Sequence, residues 1–167
     1  SANDLVPKIA PLPPGQSPEV LGDESFMKRD FAKAEAQYEL ARTLGDTSFL
    51  RIKHVRALLS QRKFVEAQKI LDAASSDTAI GLQLYRGILK AIFNDLAGSK
   101  EILKKVAETE SEDALDMRFA ERAQIVLRTL EEWEFTVDGR PEHLQTLLAK
   151  SFDRIGEFEV AIAMALE

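Results

Sequence analysis

The stretch that decides the fold is a six-residue pattern that recurs along the chain. Residues 29–34 read RDFAKA, and residues 62–67, which lie 33 positions later, read RKFVEA. Weaker copies follow at residues 94–99, NDLAGS, and at residues 156–161, GEFEVA. Each copy has a polar pair, a large apolar residue, two spacers and a small residue. This order predicts a tight turn that ends one helix, and then a helix whose small residue lies close to its neighbour.

Further apolar residues follow the first three copies at helical spacing. A bulky side chain stands four positions after the small residue, and another apolar one stands three positions later. The residues at these two positions are Tyr38 and Ala41, Leu71 and Ala74, and Leu103 and Val106. Before the first copy, Ser17, Pro18 and Glu19 predict a helix start with a serine N-cap, a proline in the first position and an acid in the first turn.

The whole pattern resembles the tetratricopeptide repeat, a helix–turn–helix unit of about 34 residues. The residues of the first copy that match the family's signature are Leu21, Gly22, Ala34, Tyr38 and Ala41. Pro18, Ser25 and Asp46 depart from it, since the family prefers tryptophan, tyrosine and proline there. The resemblance implies an all-α superhelix of antiparallel helix hairpins, with a degenerate fourth unit.

The organisation that we expect is a Pro-rich extended tail over residues 1–16 and a repeat domain over residues 17–167. The units are expected at residues 17–46, 47–78 and 79–111, with an irregular helix within 112–140 and a partial unit at 141–167. Residues 112–130 predict one long helix with Ser111 as its cap. The chain begins at Ser1 and stops part-way through an expected helix, so we expect it to be a piece of a longer protein.

Composition and motifs exclude several classes of function. A net charge of −6 argues against a duplex nucleic-acid binder, and the absence of cysteine excludes disulfide scaffolds and thiolate zinc sites. No nucleophile elbow, phosphate loop or zinc-protease motif occurs, and no apolar run reaches the roughly 18 residues of a membrane helix. His54 lies among basic residues, which is more typical of a packed repeat residue than of a catalytic base. The sequence therefore predicts a protein that is not an enzyme and has no cofactor or metal.

The charges are unevenly distributed. Residues 47–76 carry six basic and two acidic side chains, whereas residues 112–167 carry six basic and thirteen acidic ones. The basic side chains of the second unit are Arg51, Lys53, Arg56, Arg62, Lys63 and Lys69. Ordinary solvation of helix faces explains this segment. Contact with an acidic partner and self-association with the acidic C-terminal part are the alternatives.

In the family, the first helix of each unit lines a concave groove, so the resemblance implies a partner-binding groove here. The residues that we expect to line it are Phe49, Ile52, Arg56, Leu59, Leu84, Tyr85, Ile88 and Ile92. A lysine and asparagine clamp, which the family's chaperone adaptors use to hold a C-terminal carboxylate, is absent. A largely apolar groove with one arginine suits an amphipathic helix or an extended peptide with an acidic residue. Burial of this stripe in the core is the alternative interpretation.

The expected function is a non-enzymatic scaffold for protein–protein interaction that binds a peptide or a partner helix. The alternative is a self-assembly module that forms a homo-oligomer through its repeat ends and its charge asymmetry. Neither nucleic acid nor direct membrane insertion is expected. The Pro-rich stalk and the lack of cysteine are compatible with a bacterial cell-envelope protein, with the cytoplasm as the alternative location.

Overall fold

The structure is a computed structural model that describes residues 16–134 and 141–157. These residues form eight α-helices, and no strand occurs among them, which confirms the all-α prediction for these ranges. The helices are α1 (Pro18–Met27), α2 (Phe31–Leu44), α3 (Ser48–Leu59), α4 (Phe64–Ala73), α5 (Ile80–Ile92), α6 (Leu96–Ala107), α7 (Ala114–Glu134) and α8 (Pro141–Arg154). Nearly all of the predicted tail, and the helix predicted after Glu157, lie outside the described residues.

The same turn ends a helix in all four copies of the six-residue pattern. The first residues of the copies, Arg29, Arg62, Asn94 and Gly156, have φ values of 61°, 59°, 69° and 79°. The N–H of the next residue bonds to the carbonyl five residues earlier, at 2.9, 2.9, 2.8 and 2.8 Å. Together these features form a Schellman cap, so the predicted turn is confirmed in each copy. A glycine, which tolerates positive φ best, stands only in the fourth copy.

The second residue of the polar pair stands at the start of the next helix in the first three copies. The carboxylates of Asp30 and Asp95 each accept a hydrogen bond from the backbone N–H three residues later, at 3.2 and 2.9 Å. Lys63, in the equivalent position, makes no such side-chain bond. Ser17 caps α1 in the same way as the two aspartates, which confirms the predicted helix start.

Consecutive helices pack against each other, so that α1–α2, α3–α4 and α5–α6 form hairpins. Helix α3 also contacts α5, and α5 contacts α7, so these three helices lie side by side. Helix α8 packs on α7. One hydrophobic core extends from α3 to α8. A second, small cluster joins the N-terminal hairpin to α3 and is formed by Ala34, Tyr38 and Ala57 with Phe26 at its edge.

The close helix contacts depend on the small residues of the pattern. Ala34, Ala67 and Ser99 are fully buried, which confirms the prediction for the two alanines. A Cβ atom added at Gly87 would lie 2.7 Å from the Leu103 side chain, so α5 and α6 approach closely at this glycine. Ser99, which stands where the first two copies have Ala34 and Ala67, donates its hydroxyl to the Gly87 carbonyl at 2.6 Å. The buried hydroxyl is therefore satisfied.

The long helix α7 differs from its prediction at both ends. The sequence predicts a helix over residues 112–130 with Ser111 as its cap, whereas α7 begins at Ala114 and continues to Glu134. The Asp113 carboxylate accepts an N–H from the first turn at 2.8 Å, and the Ser111 hydroxyl accepts the N–H of Asp113 at 3.1 Å. The predicted cap was wrong, because the carboxylate directly before the helix takes the capping position.

Candidate partner-binding site

The eight residues predicted to line a groove lie on α3 and α5, but they do not form one accessible stripe. Five of them, Ile52, Leu59, Leu84, Tyr85 and Ile88, are buried. Phe49 is exposed, whereas Arg56 and Ile92 are half-buried. The expectation of an open groove is therefore corrected for the five buried side chains, which do not face a partner in this conformation.

The C-terminal helices share the core in which these residues are buried. Phe119 and Val126 of α7, and Leu148 and Phe152 of α8, belong to the same hydrophobic core as the five buried residues of α3 and α5. Removing a large apolar side chain from water contributes roughly 1.5–3 kcal/mol relative to leaving it exposed. The five residues of the stripe thus lie in one core with side chains from later helices of the same chain.

The turn after α8 brings one carboxylate into contact with three helices. Glu157 Oε2 accepts hydrogen bonds from Arg56 Nε of α3 at 3.0 Å and from Arg56 Nη2 at 2.8 Å. Glu157 Oε1 accepts a hydrogen bond from the Tyr85 hydroxyl of α5 at 3.0 Å. Arg122 Nη1 of α7 lies 3.5 Å from the same oxygen and forms an ion pair with it. We call these four residues the Glu157 site.

The Glu157 site is closed around the carboxylate and partly open at the arginines. Glu157 is 1% exposed, whereas the side chains of Arg56 and Arg122 are 29% and 26% exposed. Burial raises the pKa of Tyr85 and the Glu157 charge raises it further, so the hydroxyl keeps its proton and remains a donor. Burial lowers the pKa of Arg56, but Tyr85 and Glu157 raise it by more, so the guanidinium stays charged.

A second surface lies beside the Glu157 site, between α1 and α3. An open pocket of about 270 Å³ there is lined by Asp23, Phe26, Met27, Tyr38, Lys53 and Arg56. We call these residues, together with the exposed Phe49, the α1–α3 surface. Met27 is 83% exposed, and Lys53 Nζ lies 5.2 Å from the centroid of the Phe49 ring. The Arg56 guanidinium lies 5.0 Å from the centroid of the Phe26 ring, so Arg56 belongs to both sites.

The charges of the α1–α3 surface are paired. Lys53 Nζ donates to Glu19 Oε1 and to Asp23 Oδ2, both at 2.9 Å. Asp23 Oδ1 also accepts the Tyr38 hydroxyl at 2.7 Å. Because Lys53 and Asp23 already have partners, this surface offers another molecule its exposed apolar side chains and the partly exposed Arg56. Exposed apolar patches commonly mark interaction sites.

Most basic residues of the second unit also pair within the chain. Arg51, Lys53, Arg56 and Lys63 each form an ion pair with a carboxylate from another part of the sequence. Their partners are, in that order, Asp46 and Asp77, Glu19 and Asp23, Glu157, and Glu35. These four basic side chains therefore join neighbouring parts of the fold, and one of them engages the acidic C-terminal part of the same chain.

His54 is a packed residue, as its sequence context indicates. It is buried in α3, and its Nδ1 atom lies 3.1 Å from Arg42 Nη1, which can only donate. Burial lowers the pKa of His54, and the positive charge of Arg42 lowers it further, so the imidazole is neutral near pH 7. In the described part of the chain, no group of three or more His, Cys, Asp or Glu residues could hold a metal ion.

Sequence reasoning identified Arg56 and Tyr85 but missed the other two members of the Glu157 site. Glu157 carries one signal, because it is the second residue of the fourth copy, where Asp30 and Asp95 cap helices in earlier copies. Arg122 carries none, since it is one of several charged residues on a long helix. Their convergence depends on the packing of α8 on α7.

Comparisons with known proteins give no relative. No family model matches the chain, and no curated protein or solved structure matches it. None of the helices in residues 16–134 and 141–157 is long and apolar enough to cross a membrane.

Proposed function

We propose that this chain is a non-enzymatic scaffold of the tetratricopeptide type that binds a segment of a partner protein along its successive hairpins. The observation that carries the proposal is the Glu157 site. A single side chain from a distant segment is held by Arg56 of α3, Tyr85 of α5 and Arg122 of α7. Side-by-side helices that converge on one segment are how helical repeats bind peptides.

The surface that we propose for the partner is the α1–α3 surface. It is open, it carries exposed apolar side chains, and its Arg56 lies at its junction with the Glu157 site. The proposed partner segment places apolar side chains against Met27 and Phe49, with an acidic residue directed towards Arg56. The partner is still an apolar segment with an acidic residue, as the sequence predicted. Its apolar contacts, however, lie on α1 and α3 instead of on α3 and α5.

Cross-linking from single positions tests this proposal. A photo-reactive amino acid replaces Met27 or Phe49 in the full chain, and Leu44 or Val65, which are also exposed apolar residues, in two controls. Expressed in cells of its source organism, the chain should cross-link the same protein from Met27 and Phe49 but not from Leu44 or Val65. Met27→Asp with Phe49→Asp should abolish the complex that the unmodified chain forms with that protein. Equal cross-linking from all four positions, or none, would contradict the proposal.

Self-assembly remains the alternative function. The pairing of Arg51, Lys53 and Lys63 within the chain favours the scaffold over self-assembly through charge, because these charges are already engaged. Light scattering at low and high salt separates the two functions. A monomer whose mass does not change with salt contradicts self-assembly through charge, whereas a salt-sensitive oligomer contradicts a purely monomeric scaffold.

A further inference from the structure

The charges within the Glu157 site do not balance. Two guanidinium groups, from Arg56 and Arg122, face one carboxylate, and Tyr85 contributes a neutral donor. Arg56 makes a two-pronged contact with Oε2, whereas Arg122 is only within ion-pair distance of Oε1. Three side chains on three helices thus surround a position for one carboxylate with a surplus of positive charge.

The three donor side chains of the Glu157 site and the carboxylate that they hold belong to different parts of the fold. Arg56, Tyr85 and Arg122 lie on helices that are packed side by side, whereas Glu157 belongs to the turn after α8. Glu157 N–H bonds to the Phe152 carbonyl at 2.8 Å, which fixes the backbone of Glu157 relative to α8. The carboxylate therefore enters and leaves the site together with α8.

Helix α8 packs on α7 with one buried polar atom, the Ser151 hydroxyl oxygen, that has no hydrogen-bond partner among the described residues. The whole Ser151 residue is fully buried. Burying a hydroxyl without a partner costs free energy relative to its hydration in water. Undocking α8 returns this hydroxyl to water, so the docked state of α8 is weaker than its apolar contacts alone suggest.

The arginines also reach a surface that another molecule can approach. Arg56 lines the open pocket between α1 and α3, and both Arg56 and Arg122 are about a quarter exposed or slightly more. A segment that lies on the α1–α3 surface therefore reaches the guanidinium of Arg56 without crossing the core. Its acidic side chain and Glu157 then compete for the same donors.

We propose that Arg56, Tyr85 and Arg122 form a receptor for the acidic side chain of a partner segment, and that Glu157 occupies this receptor as an internal ligand until the partner displaces it. This proposal rests on the scaffold function and describes how binding of the partner at the Glu157 site is regulated. The internal ligand also defines the partner's chemistry. The partner's acid takes the place of Glu157, while its apolar side chains lie against Met27 and Phe49 of the α1–α3 surface. The segment that ends in Glu157 has the same chemistry, since Leu148 and Phe152 are large apolar residues that precede the acid.

The test uses the full chain and a fluorescent peptide with the sequence of residues 141–157, amidated at its C-terminus. Binding is followed by fluorescence anisotropy. The Glu157→Lys chain, in which the internal ligand is repelled, should bind the peptide at least tenfold more tightly than the unaltered chain. The Ser151→Ala chain, in which docking of α8 is favoured, should bind it more weakly than the unaltered chain. A peptide with Glu157→Gln should bind the Glu157→Lys chain at least tenfold more weakly than the original peptide.

Three results would overturn the proposal. The first is a Glu157→Lys chain that keeps its helical circular dichroism and cooperative melting but gains no affinity for the peptide. The second is equal binding of the two peptides, since apolar docking alone then explains the complex. The third is a dimer of the Glu157→Lys chain by light scattering, since a second copy is then the occupant. Where Glu157→Lys does not fold, Glu157→Gln replaces it, and the absence of any gain in affinity overturns the proposal.

Failure of this proposal and failure of the scaffold function give different results. The cross-links from Met27 and Phe49 test the scaffold without changing Glu157. A partner that cross-links equally well to the Glu157→Gln chain and to the unaltered chain leaves the scaffold in place and overturns the internal ligand. A peptide that binds as expected, with no partner cross-linked, overturns the scaffold function alone.

Discussion

The turns at Asn94 and at Gly156 have the same backbone conformation, but the carboxylates that follow them have different partners. Asp95 accepts the N–H of Gly98 and caps the helix that begins next to it. Glu157 instead accepts hydrogen bonds from Arg56 and Tyr85, which lie 101 and 72 positions earlier. Local sequence therefore determines the turn, whereas the packing of distant helices determines what the side chain after it binds.

The largest effect on the free energy of unfolding is expected at the small residue of the six-residue pattern, which is buried in the core. Ala67→Leu adds three carbon atoms at a fully buried helix crossing, and we expect it to lower the free energy of unfolding by about 2–3 kcal/mol. Val65→Leu, two positions away and exposed, should change it by less than about 0.5 kcal/mol. Urea denaturation of both variants measures the difference. Equal stability of the two variants would show that the register of the pattern is wrong.

The chain has two tyrosines, and each donates its hydroxyl to a carboxylate. Tyr85 bonds to the buried Glu157, whereas Tyr38 bonds to the half-exposed Asp23. Tyr85→Phe leaves Glu157 Oε1 without its hydroxyl donor in a buried site, and we expect a loss of about 2 kcal/mol. Tyr38→Phe removes a hydroxyl from Asp23, which is half-exposed and also paired with Lys53, so less than about 1 kcal/mol should be lost. Thermal melting ranks the two variants. A larger loss for Tyr38→Phe would contradict the closed character of the Glu157 site.

The four turns differ in how well their first residue suits positive φ. Gly156→Ala should destabilise the chain by about 1 kcal/mol, because a Cβ atom is disfavoured in this conformation. Arg29→Gly should stabilise it by up to about 1 kcal/mol for the same reason, since Arg29 is exposed. Chemical denaturation of both variants checks the two signs. Opposite signs from those expected would mean that the turns are not equivalent.

The smallest effect that we expect is a pH dependence from the interface of α2 with α3. The pKa of His54 is lowered by burial and by Arg42, whereas Glu35, Glu39 and Asp46 oppose this shift. The unfolded chain therefore takes up a proton first, and the free energy of unfolding should fall as the pH drops below about 6.5, until the folded pKa is passed.

Titration of the melting temperature between pH 7.5 and 5.5 measures this effect. His54→Gln should show a smaller slope than the unaltered chain, and His143 is present in both proteins, so its contribution cancels. The pKa values of Arg56 and Tyr85 are raised, so both keep their protons across this range. Equal slopes for the two proteins would contradict the neutral, buried state of His54.

The sequence predicted the helices and turns well because their causes are local. Ser17, Asp30 and Asp95 cap the next helix within three residues, and Ala34 and Ala67 mark the helix crossings. The candidate site was predicted only in part. Arg56 and Tyr85 were identified from the spacing of the repeat, but the spacing does not show which chain segment lies on them.

The burial of Ile88 and Leu84 shows why the predicted groove was partly wrong. Both residues lie on the expected face of α5, and both are fully buried in a core that also contains residues of α7 and α8. The irregular region between the third and fourth copies of the pattern hides this contact, because a long helix without the repeat gives no register for what it covers. The exposed surface therefore lies nearer the N-terminus, at Met27 and Phe49.

A double-mutant cycle on Arg56 and Glu157 tests most directly whether this carboxylate holds the C-terminal segment to the preceding helices. The free energy of unfolding is measured for the unaltered chain, for Arg56→Gln, for Glu157→Gln and for the double variant. A matched cycle on the exposed pair Lys105–Glu101, whose atoms lie 3.8 Å apart, gives the reference and should show less than about 0.5 kcal/mol. We predict a coupling of about 1–3 kcal/mol between Arg56 and Glu157. A coupling no larger than that of the surface pair would contradict the role of Glu157 in holding the C-terminal segment to α3.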